Sequence, residues 1–97
     1  MRVEFTADLW AHGDEPGSWH FVTLPPDLSD DLRDHAGPRP GFGSIRVSVQ
    51  VGETSWRTSL FPEGRGGCLV LPVKKAVRRA EGLEAGDPCT VTVELEA

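Results

Sequence analysis

The segment from residue 45 to residue 60 reads IRVSVQVGETSWRTSL, and its alternation of apolar and polar residues restricts the fold more than any other feature. The β-branched residues of its first half stand at every second position and are Ile45, Val47, Val49 and Val51. This period predicts a strand with one buried face. Gly52 and Glu53 then predict a tight two-residue turn that begins with glycine. Residues 54–61 predict the returning strand of an antiparallel hairpin.

The same period of two recurs along the chain, so we predict four further strands, at residues 2–10, 18–24, 68–71 and 89–96. The second of these is apolar on both faces near its end. Two prolines and the helical spacing of Leu28, Leu32 and Ala36 predict a short acidic helix over residues 25–36. The 11 glycines and 8 prolines of the chain are typical of many turns between short elements.

A second helix is predicted to open at Pro72 and to end at Gly82. Its apolar residues fall at the spacing i, i+3, i+4, i+7 and are Val73, Ala76, Val77 and Ala80. Four basic residues occupy the opposite face: Lys74, Lys75, Arg78 and Arg79. The helix is therefore expected to be amphipathic, with a concentrated positive charge on its outer side.

The chain also carries the marks of an internal repeat. The pairs Leu24-Pro25 and Leu71-Pro72 are 47 positions apart, close to half of the 97 residues, and each follows a predicted hairpin and opens a predicted short helix. A hairpin with one short helix cannot bury its own apolar face, whereas two such units together can. We therefore predict one domain over residues 1–97, mainly β with two short helices, built by duplication from halves at about 1–51 and 52–97 as a pseudo-dimer in one chain.

Several blocks of the sequence resemble a bacterial family described as a domain of unknown function, number nineteen-oh-five. The most specific block is LPVKKAVRRAEGLEAGD after WRTSLFP, and FTADLW, SWHFVTLP and GFGSIRVSV resemble the earlier blocks, so the resemblance covers nearly the whole chain. It implies a small double-split β-barrel that is related in fold to AbrB-like and MazE-like domains. The family brings no established catalytic or ligand-binding residue.

Charge and cysteine content limit the classes of function. A net charge of −5 and a pI of about 5.0 disfavour bulk binding to nucleic acid. The longest apolar run, residues 68–71, is far too short for a membrane span, and the N-terminal residues lack the apolar segment of a signal peptide. Cys68 and Cys89 lie in apolar strand-like settings, which favours two reduced thiols. We expect a soluble cytoplasmic protein without a bound cofactor or metal.

The basic helix, residues 73–81, is the strongest candidate site. Lys74, Lys75, Arg78 and Arg79 suit an anion or an acidic partner, and Arg57 and Arg65 are expected nearby if the hairpin folds back on this helix. Three interpretations stay open. The basic face is simply solvated, or it contacts protein, for instance the acidic helix of another copy in a weak homo-oligomer, or it binds nucleic acid.

The three tryptophans are expected in different settings. Trp19 and Trp56 lie in predicted strands and are expected in the core, whereas Trp10 ends a strand beside a loop and is expected to line a groove or an interface. No catalytic constellation or phosphate-binding fingerprint is recognisable. We therefore favour a non-enzymatic module that binds a protein or a small ligand. The alternative is an AbrB-like regulator that binds nucleic acid through the basic helix.

Overall fold

In the computed structural model, which describes residues 1–13, 15, 17–37, 43–63 and 67–96, the chain forms a closed barrel of six antiparallel strands. The strands are β1 (Arg2–His12), β2 (Trp19–Thr23), β3 (Ile45–Val51), β4 (Thr54–Pro62), β5 (Leu69–Pro72) and β6 (Pro88–Leu95). The helices are α1 (Pro26–Ala36) and α2 (Lys75–Glu81). The prediction of a mainly β barrel with two short helices is confirmed.

Two strands of the barrel change partner along their length. The order around the barrel is β1–β2–β5–β4–β3–β6, and β6 pairs again with β1. Residues 2–8 of β1 pair with β6, and residues 9–12 pair with β2. Likewise, residues 54–60 of β4 pair with β3, whereas only Phe61 and Pro62 pair with β5. Each of these strands therefore bridges two sections of the barrel wall.

The strand pairings have a twofold pattern. Exchanging β1, β2 and β3 with β4, β5 and β6 leaves the set of neighbouring strands unchanged. The helices follow the same pattern, because α1 lies between β2 and β3 and α2 lies between β5 and β6. This is the topology that a duplication with halves at 1–51 and 52–97 predicts. The duplication itself and the assignment of residues 1–97 to one domain stay predictions.

The inward faces of the strands form one apolar core. Alternate residues of β3 and β6 are buried, and at Val47, Val91 and Val93 the exposed fraction is 0%. From outside the sheet, Leu32 of α1 and Val77 of α2 reach the same core. Complete burial of one such side chain stabilises the fold by about 1.5–3 kcal/mol. The barrel interior is therefore the main source of stability.

Glycine permits the backbone conformation at the β3–β4 turn and at the end of α2. Val51 pairs with Thr54, so that Gly52 and Glu53 alone make the β3–β4 turn, and Gly52 has a φ of +58°. Gly82 ends α2 in the left-handed conformation, with φ +63° and ψ +37°. Side chains disfavour these angles. The predicted glycine-first turn and the predicted end of the second helix are both confirmed.

The second helix begins later than the sequence pattern predicts. Val73 still donates its backbone N–H to the carbonyl oxygen of His20 at 2.9 Å, and Lys74 is extended with a ψ of 159°. The chain thus remains attached to the sheet beyond Pro72, and α2 starts at Lys75. Val73 and Val77 are buried, but Ala76 and Ala80 are exposed. The prediction that those two alanines face the core is wrong.

The expectation that Trp19 packs in the core is also wrong, because 69% of this side chain is exposed. Strand β2 carries apolar residues on both faces, and the register turns Val22 inward. Trp19 lies three positions before Val22 and therefore faces outward. Trp56, in contrast, packs against the core while remaining half-buried.

Both cysteines are free thiols. Cys68 is half-buried, and Cys89 is buried in β6. Burial raises the pKa of the Cys89 thiol, and the nearby Glu81 carboxylate raises it further. The Cys89 sulfur is therefore protonated and unreactive at neutral pH.

Val47→Asp is expected to unfold the domain. The carboxylate would enter the barrel interior without a partner, at a cost of several kcal/mol, which is comparable with a total stability of about 5–15 kcal/mol. Thermal denaturation followed by circular dichroism measures the effect. Gln50→Asp is the matched control, because Gln50 is exposed on the same strand. A cooperatively melting Val47→Asp protein would contradict the assigned inward face of β3.

Candidate anion-binding groove

A groove of about 340 Å³ lies between the first half of β4, the end of β5 and α2. We call it the basic groove. It is lined by Gly17, Ser18, Trp19, His20, Trp56, Arg57, Thr58, Pro72, Val73, Lys74, Lys75 and Arg78.

The change of partner along β4 creates the space for the basic groove. Because β4 and β5 pair only at Phe61 and Pro62, Trp56 and Thr58 have no ladder to β5. The end of β5 and the start of α2 form the opposite wall. The hydrogen bond from Val73 to His20 holds that wall against the start of β2. The groove is therefore a direct product of the split in the barrel wall.

Four of the five basic residues singled out in the sequence meet in the basic groove. Lys74, Lys75 and Arg78 come from α2 and the residue before it, and the fold brings Arg57 to them from β4. The fifth, Arg79, is exposed on α2 but does not line the groove. Arg65 lies outside the described residues. Carboxylates are absent from the lining, as far as the described residues show.

The four cations differ in the hydrogen bonds and ion pairs that they make with other residues of the chain. Arg78 is half-buried and donates from Nε to the carbonyl oxygen of Val73 at 3.2 Å. Arg57 donates from Nε to Oε1 of Glu96 at 2.8 Å. Lys74 and Lys75 are exposed and take part in none of the ion pairs among the described residues. The two lysines are thus the cations most available to an incoming anion.

Aromatic rings lie beside the cations. Trp19 presents its exposed ring at the groove, and Trp56 lines the opposite side. Trp10, the tryptophan expected at a groove, does not line this one. It is half-buried on β1, packs against Phe21 at a ring-centroid distance of 5.0 Å and donates from Nε1 to Thr23 Oγ1 at 2.8 Å. The roles of Trp19 and Trp56 could not be read from the sequence, because ring exposure depends on strand register.

Glu96 joins two arginines at the edge of the basic groove. It accepts from both Nε and Nη2 of Arg57, and its other oxygen lies 3.4 Å from Nε of Arg46. The hydrogen bond from Arg57 lowers the pKa of the Glu96 carboxyl, and Arg46 adds a weaker contribution in the same direction. At neutral pH Glu96 is ionised, so it offsets part of the positive charge of Arg57.

A second groove, also of about 340 Å³, adjoins the first and shares Trp56 and Arg57 with it. Its other charged lining residues are Arg2 and Glu94, and serine, threonine and glutamine side chains supply much of the remainder. Because charges of both signs line this second groove, it is less suited than the basic groove to binding an anion. Among the described residues, no cluster of three or more His, Cys, Asp or Glu side chains could hold a metal ion.

Fold and groove define the class of the protein as a small closed antiparallel β-barrel with a cationic, tryptophan-lined groove at a split in its wall. Residues 5–93 match the model of the family described as Domain of unknown function (DUF1905), and the chain belongs to that family. The family resemblance noted in the sequence is thereby confirmed. Among curated proteins, none matches the chain. Neither helix formed by the described residues is long and apolar enough to cross a membrane.

Arg57→Gln is expected to raise the pKa of Glu96 toward the ordinary glutamate range, because the principal hydrogen bond to the carboxylate is lost. Since the pKa in the folded state is lowered, the contact stabilises the fold above the ordinary glutamate pKa. That contribution is lost as the pH falls through the lowered value. An NMR titration of the Glu96 carboxyl carbon measures the shift.

Arg46→Gln is the matched control for this titration. Its guanidinium is farther from Glu96, so a smaller rise in the pKa is expected. An unchanged Glu96 pKa in Arg57→Gln would show that Arg57 is not held by Glu96 in solution.

Proposed function

We propose that this protein is a non-enzymatic binding module whose basic groove takes a compact ligand that joins an anionic group to a flat ring. The observation that carries the proposal is the lining itself. Four cations face the groove without a carboxylate among the described lining residues, and two tryptophans lie beside them. Its volume of about 340 Å³ suits a small molecule or one short segment of a larger one.

Charge distribution favours a compact anion over a long one. The whole chain carries a charge of −5, so the positive charge of the groove is a local feature of an acidic molecule. At about 0.1 M ionic strength, charges act over a Debye length of about 10 Å. A ligand confined to the groove therefore experiences mainly Lys74, Lys75, Arg57 and Arg78, whereas an extended polyanion also meets the acidic remainder.

The tryptophans supply the second part of the recognition. A planar ring that stacks on an exposed aromatic side chain gains about 1–3 kcal/mol. Trp19 is suited to this role because its ring is exposed and stacks on Phe21, at a centroid distance of 6.2 Å and an interplanar angle of 14°. Phe21 thus holds the platform in place before a ligand arrives, which limits the entropy lost on binding.

The polar groups of the basic groove favour binding over catalysis. Its histidine, His20, contacts the backbone carbonyl oxygen of Ser18 through Nδ1 at 2.9 Å. No hydrogen bond joins His20 to a side-chain hydroxyl among the described residues. A nucleophile paired with a base is the usual requirement for covalent catalysis. The groove presents charge and ring surface instead, which supports a binding role.

Adenosine triphosphate is a suitable probe, because it joins a flat ring to a compact polyanion. We expect it to bind more tightly than adenosine or inorganic triphosphate, each of which offers only one of the two parts. Lys75→Glu is expected to weaken the binding about tenfold, or about 1.4 kcal/mol, because an attraction becomes a repulsion. Isothermal titration calorimetry at about 50 mM salt, where screening is weak, measures these affinities.

Arg79→Glu is the matched control, since it reverses the same charge on the same helix outside the basic groove. It is expected to leave the affinity nearly unchanged. Trp19→Leu should reduce binding of adenosine triphosphate but not of inorganic triphosphate. If Lys75→Glu and Arg79→Glu weakened the affinity equally, the overall charge of the protein would explain the effect, and the proposed binding in the basic groove would be wrong.

A second candidate function is binding of nucleic acid in the manner of AbrB-like domains. Clustered cations beside an exposed tryptophan are the features that favour it, and the split strands β1 and β4 support a fold relation to AbrB-like and MazE-like barrels. The net charge of −5 opposes it.

Fluorescence anisotropy with labelled duplex and single-stranded DNA tests this second candidate. If it holds, affinity at low salt falls steeply as the salt concentration rises, and the double variant Lys75→Glu/Arg78→Glu lowers it further. Undetectable binding at about 50 mM salt, or binding that the double variant leaves unchanged, would eliminate nucleic acid as the ligand.

We also propose that the protein is bacterial and cytoplasmic. The free thiols of Cys68 and Cys89 support a reducing compartment.

A further inference from the structure

A second apolar cluster lies outside the barrel, on the outer face of the section formed by β1, β2, β5 and β4. We call it the outer aromatic face. Its members are Trp10, Trp19, Phe21, Phe61 and Pro72, and Val70 on the same side of β5 is itself buried. The strand register places them together, because Trp10 pairs with Phe21, Phe21 pairs with Pro72, and Phe61 pairs with Val70. Their neighbours along the strands, such as Leu9 and Leu71, point into the core.

The rings of the outer aromatic face lie close to one another, but they do not pack against the barrel core. Phe21 lies between Trp10 and Trp19, at ring-centroid distances of 5.0 Å and 6.2 Å. None of the four aromatic residues belongs to the core cluster or packs against it. Trp19 is 69% exposed and Phe61 is 41% exposed. Aromatic residues grouped in this way on an outer surface are typical of protein interfaces.

The helices place opposite charges at the two ends of the outer aromatic face. Because β2 and β5 are antiparallel neighbours, the helices that follow them leave the sheet at opposite ends. Contacts confirm the placement: Ser29 of α1 accepts from the N–H of Leu69 at the start of β5, and Val73 donates to His20 at the start of β2.

Charge is divided sharply between these ends. Four aspartates and one arginine give α1 a charge of −3, whereas residues 73–83 around α2 carry +3. A surface with an apolar middle and opposite charges at its ends is complementary to itself when one copy is turned end for end.

We propose that the outer aromatic face docks a second copy of this chain in a twofold dimer whose axis runs across the strands. Rotation about that axis lays one face on the other and brings α1 of each copy toward α2 of its partner. The alternative axis, along the strands, would oppose acidic helix to acidic helix and basic to basic. The division of charge therefore selects the crossed arrangement, in which the rings of both copies leave water together.

The dimer face and the basic groove are adjacent and overlap. They share Trp19 and Pro72, whereas Lys74 and Lys75 line only the groove and Phe61 and Trp10 lie only on the outer aromatic face. Variants at Phe61 therefore test the dimer without altering the groove, and binding of adenosine triphosphate tests the groove without reference to Phe61. Failure of one proposal is distinguishable from failure of the other.

Sedimentation velocity of the full chain over a concentration series measures the association. We expect a monomer–dimer equilibrium that Phe61→Asp weakens more than tenfold, because a charge would be buried among the rings. Ser55→Asp is the matched control: it places the same charge on the same strand, at an exposed position outside the outer aromatic face, and is expected to leave the equilibrium unchanged. Trp19→Ser serves as a second interface variant, and circular dichroism verifies that each variant is folded.

Charge reversal tests the direction of the axis. Asp31→Lys with Asp34→Lys makes both ends basic and is expected to weaken the dimer, and Lys74→Glu with Lys75→Glu makes both ends acidic and should do the same. The chain that carries all four substitutions restores opposite ends and is expected to regain the dimer.

Three results would overturn the proposal. The first is a wild-type chain that stays monomeric at concentrations up to about 1 mM, because its self-association would then be weaker than that of a specific interface of standard size. The second is a dimer indifferent to Phe61→Asp and Trp19→Ser. The third is a dimer indifferent to the single-end charge reversals, since that result excludes the crossed axis.

Discussion

The structure depends on one apolar interior that neither half of the chain can close alone. Strands β3 and β6 come from different halves, yet they pair along residues 47–51 and 91–95 and direct their valines to the same side. Because an isolated hairpin with one helix leaves its apolar face in water, burial is achieved only when both halves contribute strands to the wall. The stability of every other feature, including the helices and the basic groove, follows from this closure.

The split strands close the barrel around an intact core and also leave a gap in its wall that can serve as a binding site. A strand that bridges two wall sections must diverge from one neighbour where it joins the other, and a gap opens at that point. At the gap beside β4, α2 and the start of β2 form the border and supply cations and a ring. Much of the site thus rests on strands and on a helix that is anchored by Val77 in the core.

Much of the fold was predictable from alternation and glycine, as β3 shows. Its four β-branched residues at even spacing indicate one buried face, and Gly52 after them indicates the turn. The start of α2 was not predictable, because the hydrogen bond from Val73 to His20 is a contact between distant parts of the chain. Local helical spacing alone places Ala76 and Ala80 on the apolar face of a helix that begins at Pro72.

The candidate site was predictable in its charges but not in its rings. Lys74, Lys75 and Arg78 are close in sequence, so the sequence alone predicts their cluster, and a returning hairpin is expected to bring Arg57 near them. Trp19 could not be assigned, since β2 has apolar residues at positions of both parities and only its pairing with β1 determines which face is buried. The location of Trp10 on the outer wall likewise depends on that register.

The adjacency of β1 and β6 has a consequence for the topology of the chain. Leu95 donates its N–H to the carbonyl oxygen of Met1 at 3.1 Å, so the first and last strands run side by side. Along the sequence, the two halves are joined at the exposed turn of Gly52 and Glu53. A circular permutant that joins the old ends by a short linker and opens at this turn would retain every ladder of the barrel, with the order of the two halves reversed. The barrel fold therefore does not depend on the order of the two halves along the chain.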